Sequence, residues 1–264
     1  MSVDARPDQK ARASEHLDRE LAVIQATLDV ALEGRDSLRV LDAGCGSARN
    51  LRIPPGVHTT GIDISQLQLD RNRDLAERIR GDLQNYPLPE GSFDLVICWD
   101  VLEHLEDPGA ALRNMRRALK PDGVMVLSLP NLMSIKGLVT KYTPQAFHIW
   151  FYRRIYRSSK TGRDDEGPFP TFLRRAISPK GIRRFAHENG LHVQHFGMLE
   201  SRWQRLVRQR YGITGRFWKA IRIAIKCVTF GQIDPERTEL IVVLTGPALP
   251  SVAARKPSQI AVEP

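Results

Sequence analysis

The stretch Val40-Leu41-Asp42-Ala43-Gly44-Cys45-Gly46-Ser47-Ala48 constrains the rest of the chain more than any other. An apolar run that stops on an acid and breaks into two glycines reads as a buried strand entering a tight turn. At the carboxyl edge of a parallel sheet such a turn makes room for a nucleotide-like group. The strand is expected over Leu38 to Asp42, and the next over Thr59 to Ile64, through Gly61-Ile62-Asp63. Asp63 follows Asp42 by 21 residues, an interval that places a carboxylate on the neighbouring strand tip within reach of a ribose.

The surrounding pattern alternates strand and helix. Leu17, Leu21, Ile24, Leu28 and Ala31 recur at helical spacing after Ser14 and stop at Gly34, giving an N-terminal amphipathic helix. The helix after the glycines must be short, because Pro54-Pro55 prevents its continuation. A polar helix over Ser65 to Leu75 and a weak strand over Glu77 to Arg80 lead to Gly81-Asp82-Leu83. A strand over Phe93 to Cys98, a helix over Pro108 to Leu119, a turn at Lys120-Pro121-Asp122-Gly123 and a strand over Val124 to Leu129 follow. This rhythm predicts an α/β fold with a doubly wound, seven-stranded, mostly parallel sheet and right-handed crossovers.

After residue 130 the alternation fails. The run Phe147-His148-Ile149-Trp150-Phe151-Tyr152-Arg153-Arg154-Ile155-Tyr156-Arg157 and the acidic loop Asp164 to Pro168 read as an inserted helical cap. Ser178-Pro179 starts a helix to Glu188, Leu191 to Met198 is a sixth strand and Glu239 to Thr245 a seventh. Two basic amphipathic helices are expected between them, over 202–211 and 215–229. In the second, Phe217, Trp218, Ile221, Ala224, Ile225 and Val228 should form one face and Arg216, Lys219, Arg222 and Lys226 another. The expected divisions are 1–37 (tail and helix), 38–130 (cofactor-binding core), 131–177 (cap), 178–246 (the rest of the fold) and 247–264 (loose tail).

Charge divides the chain. Residues 1–130 carry 16 Lys and Arg against 21 Asp and Glu, whereas residues 131–237 carry 21 against 7. The second segment should meet something anionic. Cysteines at 45, 98 and 227 have no metal-like spacing and suit a reducing setting. With no signal-like start and no long apolar span, the expectation is a cytoplasmic protein associated at most with a membrane surface.

Taken together, Asp42-Ala43-Gly44-Cys45-Gly46, Gly61-Ile62-Asp63, Gly81-Asp82-Leu83, Phe93-Asp94-Leu95-Val96-Ile97 and Leu119-Lys120-Pro121-Asp122-Gly123 resemble the class I, Rossmann-like S-adenosylmethionine methyltransferases. The nearest likeness is to the type 11 group that includes the ubiquinone-pathway O-methyltransferases. It covers residues 38–130 well and 178–245 only as topology. The resemblance implies S-adenosylmethionine as cofactor, held by Asp42, Gly44, Cys45 and Gly46 at the methionyl part. It also implies Asp63 on the ribose, Ile64 on the adenine face, and Asp82 with the Leu83 backbone on the adenine edge. A nicotinamide cofactor is the competing reading, but its fingerprint wants a third glycine where Arg49 stands.

Asp100, Glu103 and His104 form a second constellation at the carboxyl end of the fourth strand. The equivalent run in the ubiquinone-type enzymes is Glu, Glu and His and is connected with a divalent cation; here Asp100 replaces the first Glu. Without metal, His104 would serve as general base beside Glu103, since imidazole titrates near neutrality. His148, Trp150 and Tyr152 of the cap are the candidates for acceptor binding. The expected reaction is methyl transfer, at oxygen, to a small amphipathic or lipid-linked molecule, with an anionic membrane surface as partner for the basic helices. Two alternatives stand beside it: a nucleic-acid methyltransferase that uses the basic segment, and a non-catalytic binding protein of the same fold. Asp100-Val101-Leu102-Glu103 lacks the Pro-Pro-aromatic signature of many base methylators, and the intact acids at 42, 63 and 82 argue against decay.

Overall fold

The computed structural model describes residues 21–35, 37–46, 51–53, 57–132, 134, 143, 146, 150, 154, 169–172 and 174–247. Helix α1 covers 21–31. It is followed by β1 (Arg39–Ala43), β2 (His58–Asp63), α2 (Gln66–Arg71), β3 (Glu77–Arg80), β4 (Phe93–Trp99), α3 (Pro108–Ala118) and β5 (Leu119–Pro130). Beyond the cap region come α4 (Pro179–Glu188), β6 (His192–Leu199), α5 (Arg202–Arg210), α6 (Gly215–Val228) and β7 (Glu239–Thr245).

The seven strands form one sheet in the order β3-β2-β1-β4-β5-β7-β6. β1 to β5 are parallel neighbours, whereas β7 runs antiparallel to both β5 and β6. Strands buried on both faces must be apolar throughout, and Leu240-Ile241-Val242-Val243-Leu244 is entirely inaccessible. Alternate residues serve opposite faces: Val126, Ile241 and Val243 pack with Ile24 and Leu28 of α1. Leu127, Val242 and Leu244 pack with Leu112 and Met115 of α3 and Ile182 of α4.

Local signals set the helix starts. Ser65 and Asp107 cap α2 and α3 by accepting from Gln68 N and Ala110 N. Ser178 caps α4 with Pro179 in its first turn. The turn expected at Lys120 to Gly123 is instead the first part of β5, which is one twelve-residue strand. A register shift between Phe93 and Leu95 absorbs the irregularity. It also turns Phe93 and Leu95 to opposite faces, although they are two residues apart.

The larger departure is α6. Its cations Arg222 and Lys226 point inward, while Phe217, Ala224 and Val228, expected on one face with Trp218, Ile221 and Ile225, are exposed where those three are half-buried. Asp234 is the cause: Arg222 grips both its oxygens at 2.9 Å, and Lys226 reaches it at 2.7 Å. Arg222 also pairs with Glu236. Trp218 goes inward with them, its Nε1–H donating to Glu236 at 2.8 Å. Burial would raise the Asp234 pKa, but the hydrogen bonds from Arg222 and Lys226 outweigh it and hold the carboxyl far below the usual carboxylate range.

Candidate functional site

The glycine turn between β1 and the residues after it is held by backbone geometry that only glycine accepts easily. Gly44 has φ +73° and Gly46 φ +51°. A Cβ on Gly44 would collide with the Val101 side chain, while one on Gly46 would meet nothing within 4 Å among the described residues. Close approach is therefore demanded at Gly44 by the protein itself, and the open side of the turn lies at Gly46. Gly44 N and Cys45 N both donate to Ile62 O, at 2.7 and 3.2 Å. Buried Asn72 donates to Cys45 O and Gly46 O at 3.4 and 3.1 Å, tying the turn to the end of α2.

Asp63 stands at the tip of β2, one strand over. Its Oδ2 accepts from Gly46 N and its Oδ1 from Ser65 N, both at 2.9 Å. Each oxygen keeps a second lone pair, so the carboxylate is fixed in place yet able to accept further bonds. Ile64 beside it is 72% exposed, an apolar side chain presented at the sheet edge. Past β3, Asp82 accepts from Gln84 N and from the Gln84 side chain. Leu83 is buried, and its carbonyl accepts from Asn114 Nδ2 at 2.9 Å. Asn114 also holds Tyr86 O at 2.8 Å. Two buried amides, on α3 and at the end of α2, thus clamp the two loops that flank Asp63.

At the end of β4, Asp100 adopts φ +54°, in the left-handed region that costs a non-glycine residue free energy. Its N–H donates to Ser128 O at 2.9 Å, and Ser128 Oγ donates to its carboxylate at 3.4 Å. Leu102–His104 then form one 3-10 turn. Glu103 is buried, with Oε1 3.9 Å from His104 Nε2. His104 Nδ1 lies 2.8 Å from the carbonyl of Pro170. A carbonyl only accepts, so Nδ1 carries a hydrogen, and in the neutral ring Nε2 is then the acceptor nitrogen.

The chain returning from the cap closes over this turn. Phe172 N donates to Glu103 O at 2.6 Å, Arg174 Nε to Glu106 O at 3.0 Å, and Phe169 meets the His104 ring edge-on at 5.6 Å. Neither this return nor the two clamping amides was apparent from the sequence. The rigid Phe169-Pro170 pair was the available signal for the first; a lone Asn gives none.

Asp42, Asp100 and Glu103 each lie close enough to buried Cys98 to act on it electrostatically. Burial pushes the Cys98 thiol well up, and the charges of Glu103, Asp42 and Asp100 push it further. A sheet end that concentrates negative charge favours a cationic group, and the sulfonium and ammonium of S-adenosylmethionine are such groups. With the open turn at Gly46 and the fixed acceptor pair of Asp63, these residues fit that cofactor. The divalent-cation expectation is not supported: no group of three His, Cys, Asp or Glu side chains among the described residues is placed to hold a metal ion. Of the cap candidates, Trp150 is exposed, and His148 and Tyr152 lie outside the described residues. The short helix expected after Gly46 also lies outside them. No helix among the described residues is long and apolar enough to cross a membrane.

Residues 41–127 match a methyltransferase domain family, type 11. An uncharacterised 37.1 kDa protein in transposon TN4556 of Streptomyces fradiae is 34% identical over 116 residues, which span 40% of this chain and about a third (34%) of that protein. The demethylmenaquinone methyltransferase of Listeria monocytogenes is 29% identical over 181 residues, covering 60% of this chain and 76% of the enzyme. In fold, the chain is similar to a candidate sarcosine dimethylglycine methyltransferase from Galdieria sulphuraria, with TM-score 0.54, 19% identity, and 92% and 91% of the two chains covered. The turn at Gly44–Gly46, Asp63 and the acids around Cys98 all lie inside the matched domain. Residues 41–127 are a type 11 methyltransferase domain, and the fold around them is that of the Rossmann-like S-adenosylmethionine-dependent methyltransferases.

Proposed function

We propose that the protein transfers the methyl group of S-adenosylmethionine to a hydroxyl of a small amphipathic or lipid-linked acceptor, working at an anionic membrane surface. The observation that carries the reading is Asp63, pinned by two backbone N–H groups with one lone pair left on each oxygen, beside a turn open at Gly46. In this reading Asp63 accepts from the two ribose hydroxyls and Ile64 covers the adenine face. The Asp82 loop borders the adenine edge, and Asp42 and the Gly44-Cys45-Gly46 backbone hold the methionyl end.

When bound, S-adenosylmethionine supplies a methyl group on a positively charged sulfur, ready for in-line displacement. The protein's part is alignment and exclusion of water. His104 Nε2 takes the acceptor's proton as oxygen attacks, and Glu103 steadies the resulting imidazolium from 3.9 Å. The Pro170 carbonyl keeps the ring in the tautomer this requires. Residues 131–177, with His148, Trp150 and Tyr152, cover the acceptor. No step is assigned to a metal ion. The name of the Listeria relative, demethylmenaquinone methyltransferase, supports an acceptor of the quinone class.

The test is transfer of labelled methyl to lipid and aqueous extracts, with mass analysis of the product. The expected result is label in the lipid fraction, on oxygen, lost in His104→Asn. Label on carbon would overturn oxygen as the target, and label confined to aqueous products would overturn the acceptor class.

A further inference from the structure

Residues 200–238, between β6 and β7, form an arm whose sequence and orientation the methyl-transfer chemistry does not explain. β7 begins where β5 ends, with Glu239 opposite Pro130 and Leu199, so the arm leaves the sheet at the end that carries the glycine turn and Asp100. Asn131, just after β5, anchors it by donating from its backbone to Thr238 O at 2.8 Å and from its side chain to Arg237 O at 2.6 Å. Glu200 accepts from both Arg205 and Arg208, and Asp234 from Arg222 and Lys226. Arg208 lies over the Trp218 ring at 4.5 Å. Every acid of the arm is spent on this inner side, and residues 201–233 contain no Asp or Glu beside eight Arg and Lys.

What α6 turns outward is therefore apolar and basic. Phe217 is 61% exposed, Ile223 53% and Val228 79%, with the small residues Ala220, Ala224 and Cys227 between them. Arg216 and Lys219, also exposed, flank this face. Just past the end of the helix stands Phe230, 91% exposed, its φ of +48° closing the helix through bonds from Phe230 N to Cys227 O and from Gly231 N to Lys226 O. Leu206, Tyr211, Phe217, Ile223, Val228 and Phe230 are half of the large apolar side chains exposed among the described residues. In water this is unfavourable; at a lipid headgroup boundary both the apolar face and its cationic rim are satisfied.

We infer that the outward face of α6, with Phe230 at its tip, seats the protein on an anionic lipid bilayer and holds the cofactor end of the sheet against it. The inference rests on the proposed lipid-linked acceptor for its purpose, but its test does not involve the acceptor. Rings and branched side chains enter the acyl boundary while Arg216 and Lys219 meet lipid phosphates, and the inward salt bridges keep Arg222 and Lys226 from competing.

The experiment is co-sedimentation of the full-length protein with vesicles of phosphatidylglycerol and phosphatidylcholine in equal parts, against phosphatidylcholine alone. Wild type should bind the anionic vesicles, more weakly as salt rises from about 0.1 to about 0.5 M. The triple variant Phe217→Ser/Val228→Ser/Phe230→Ser should lose binding by about tenfold or more. Arg216→Glu/Lys219→Glu should lose it on anionic vesicles, and both variants should keep wild-type circular dichroism and S-adenosylmethionine affinity. Equal sedimentation of wild type and triple variant would overturn the inference. So would absence of vesicle binding together with either a dimer that the triple variant dissociates, or salt-dependent RNA retention. Failure here with lipid-fraction methylation intact would refute the docking face alone.

Discussion

The two ends of the sheet treat carboxylates in opposite ways. At the amino end, Asp94 is buried and saturated: Lys120 Nζ lies 2.9 Å from each oxygen, Arg35 2.8 Å from one, and Arg39 N–H donates at 3.0 Å. At the carboxyl end, Asp42, Asp100 and Glu103 crowd around Cys98, and Asp63 is fixed by N–H groups of its own backbone surroundings. One arrangement neutralises charge to close a fold. The other accumulates it on rigid supports and keeps acceptor capacity, as a site for a cationic, hydroxyl-bearing ligand requires.

The sharpest way to break this contrast is to exchange the expected losses. Asp94→Ala strands Lys120 and the Arg39 N–H and leaves Arg35 with Asp122 alone, and should lower unfolding free energy by about 3 kcal/mol in denaturant titration, with S-adenosylmethionine affinity unchanged. His104→Asn should cut methyl transfer by about 10²-fold while cofactor affinity measured by calorimetry stays near wild type. A fall in affinity instead would move His104 from proton transfer to binding.

Acid titration sharpens the same point. Burial alone would raise the Asp94 pKa, but the Arg39 N–H bond and the Lys120 and Arg35 contacts hold it below its ordinary value. Since the folded pKa is the lower one, its stabilisation is complete above pH about 4 and is lost as pH falls through the folded value. Asp234, with its pKa held lower still by Arg222 and Lys226, follows the same sign. Asp94→Asn should therefore flatten stability against pH below about 4. The smallest expected effect belongs to Asn72→Ala. Loss of its bonds to Cys45 O and Gly46 O should weaken S-adenosylmethionine by about 1 kcal/mol, roughly fivefold.

Features set by neighbours in the chain were legible in the sequence. Gly44, Gly46 and the acid at the tip of the next strand follow from local backbone needs, the limits of β7 follow from its apolar run, and β3 stops at the Gly81 that follows it. What depended on distant partners was not. The orientation of α6 is set by Asp234 and Glu236, which meet Arg222 and Lys226 only after the chain has turned back. Periodicity alone grouped Phe217 and Val228 with Trp218, Ile221 and Ile225 on one face, apart from Arg222 and Lys226. The same holds for Asn114, whose role appears only when α3 lies beside the Leu83 loop, and for Pro170, which reaches His104 across 66 residues.

The most direct measurement is a calorimetric titration of S-adenosylmethionine into wild type, Asp63→Ala and Asp94→Ala at neutral pH. Loss of the carboxylate that accepts ribose hydroxyls should weaken binding by about 2 to 3 kcal/mol, near 10²-fold, in Asp63→Ala, with Asp94→Ala matching wild type. Equal affinity in Asp63→Ala and wild type, or no binding heat in any of the three, would contradict the assignment of the carboxyl end as the cofactor site.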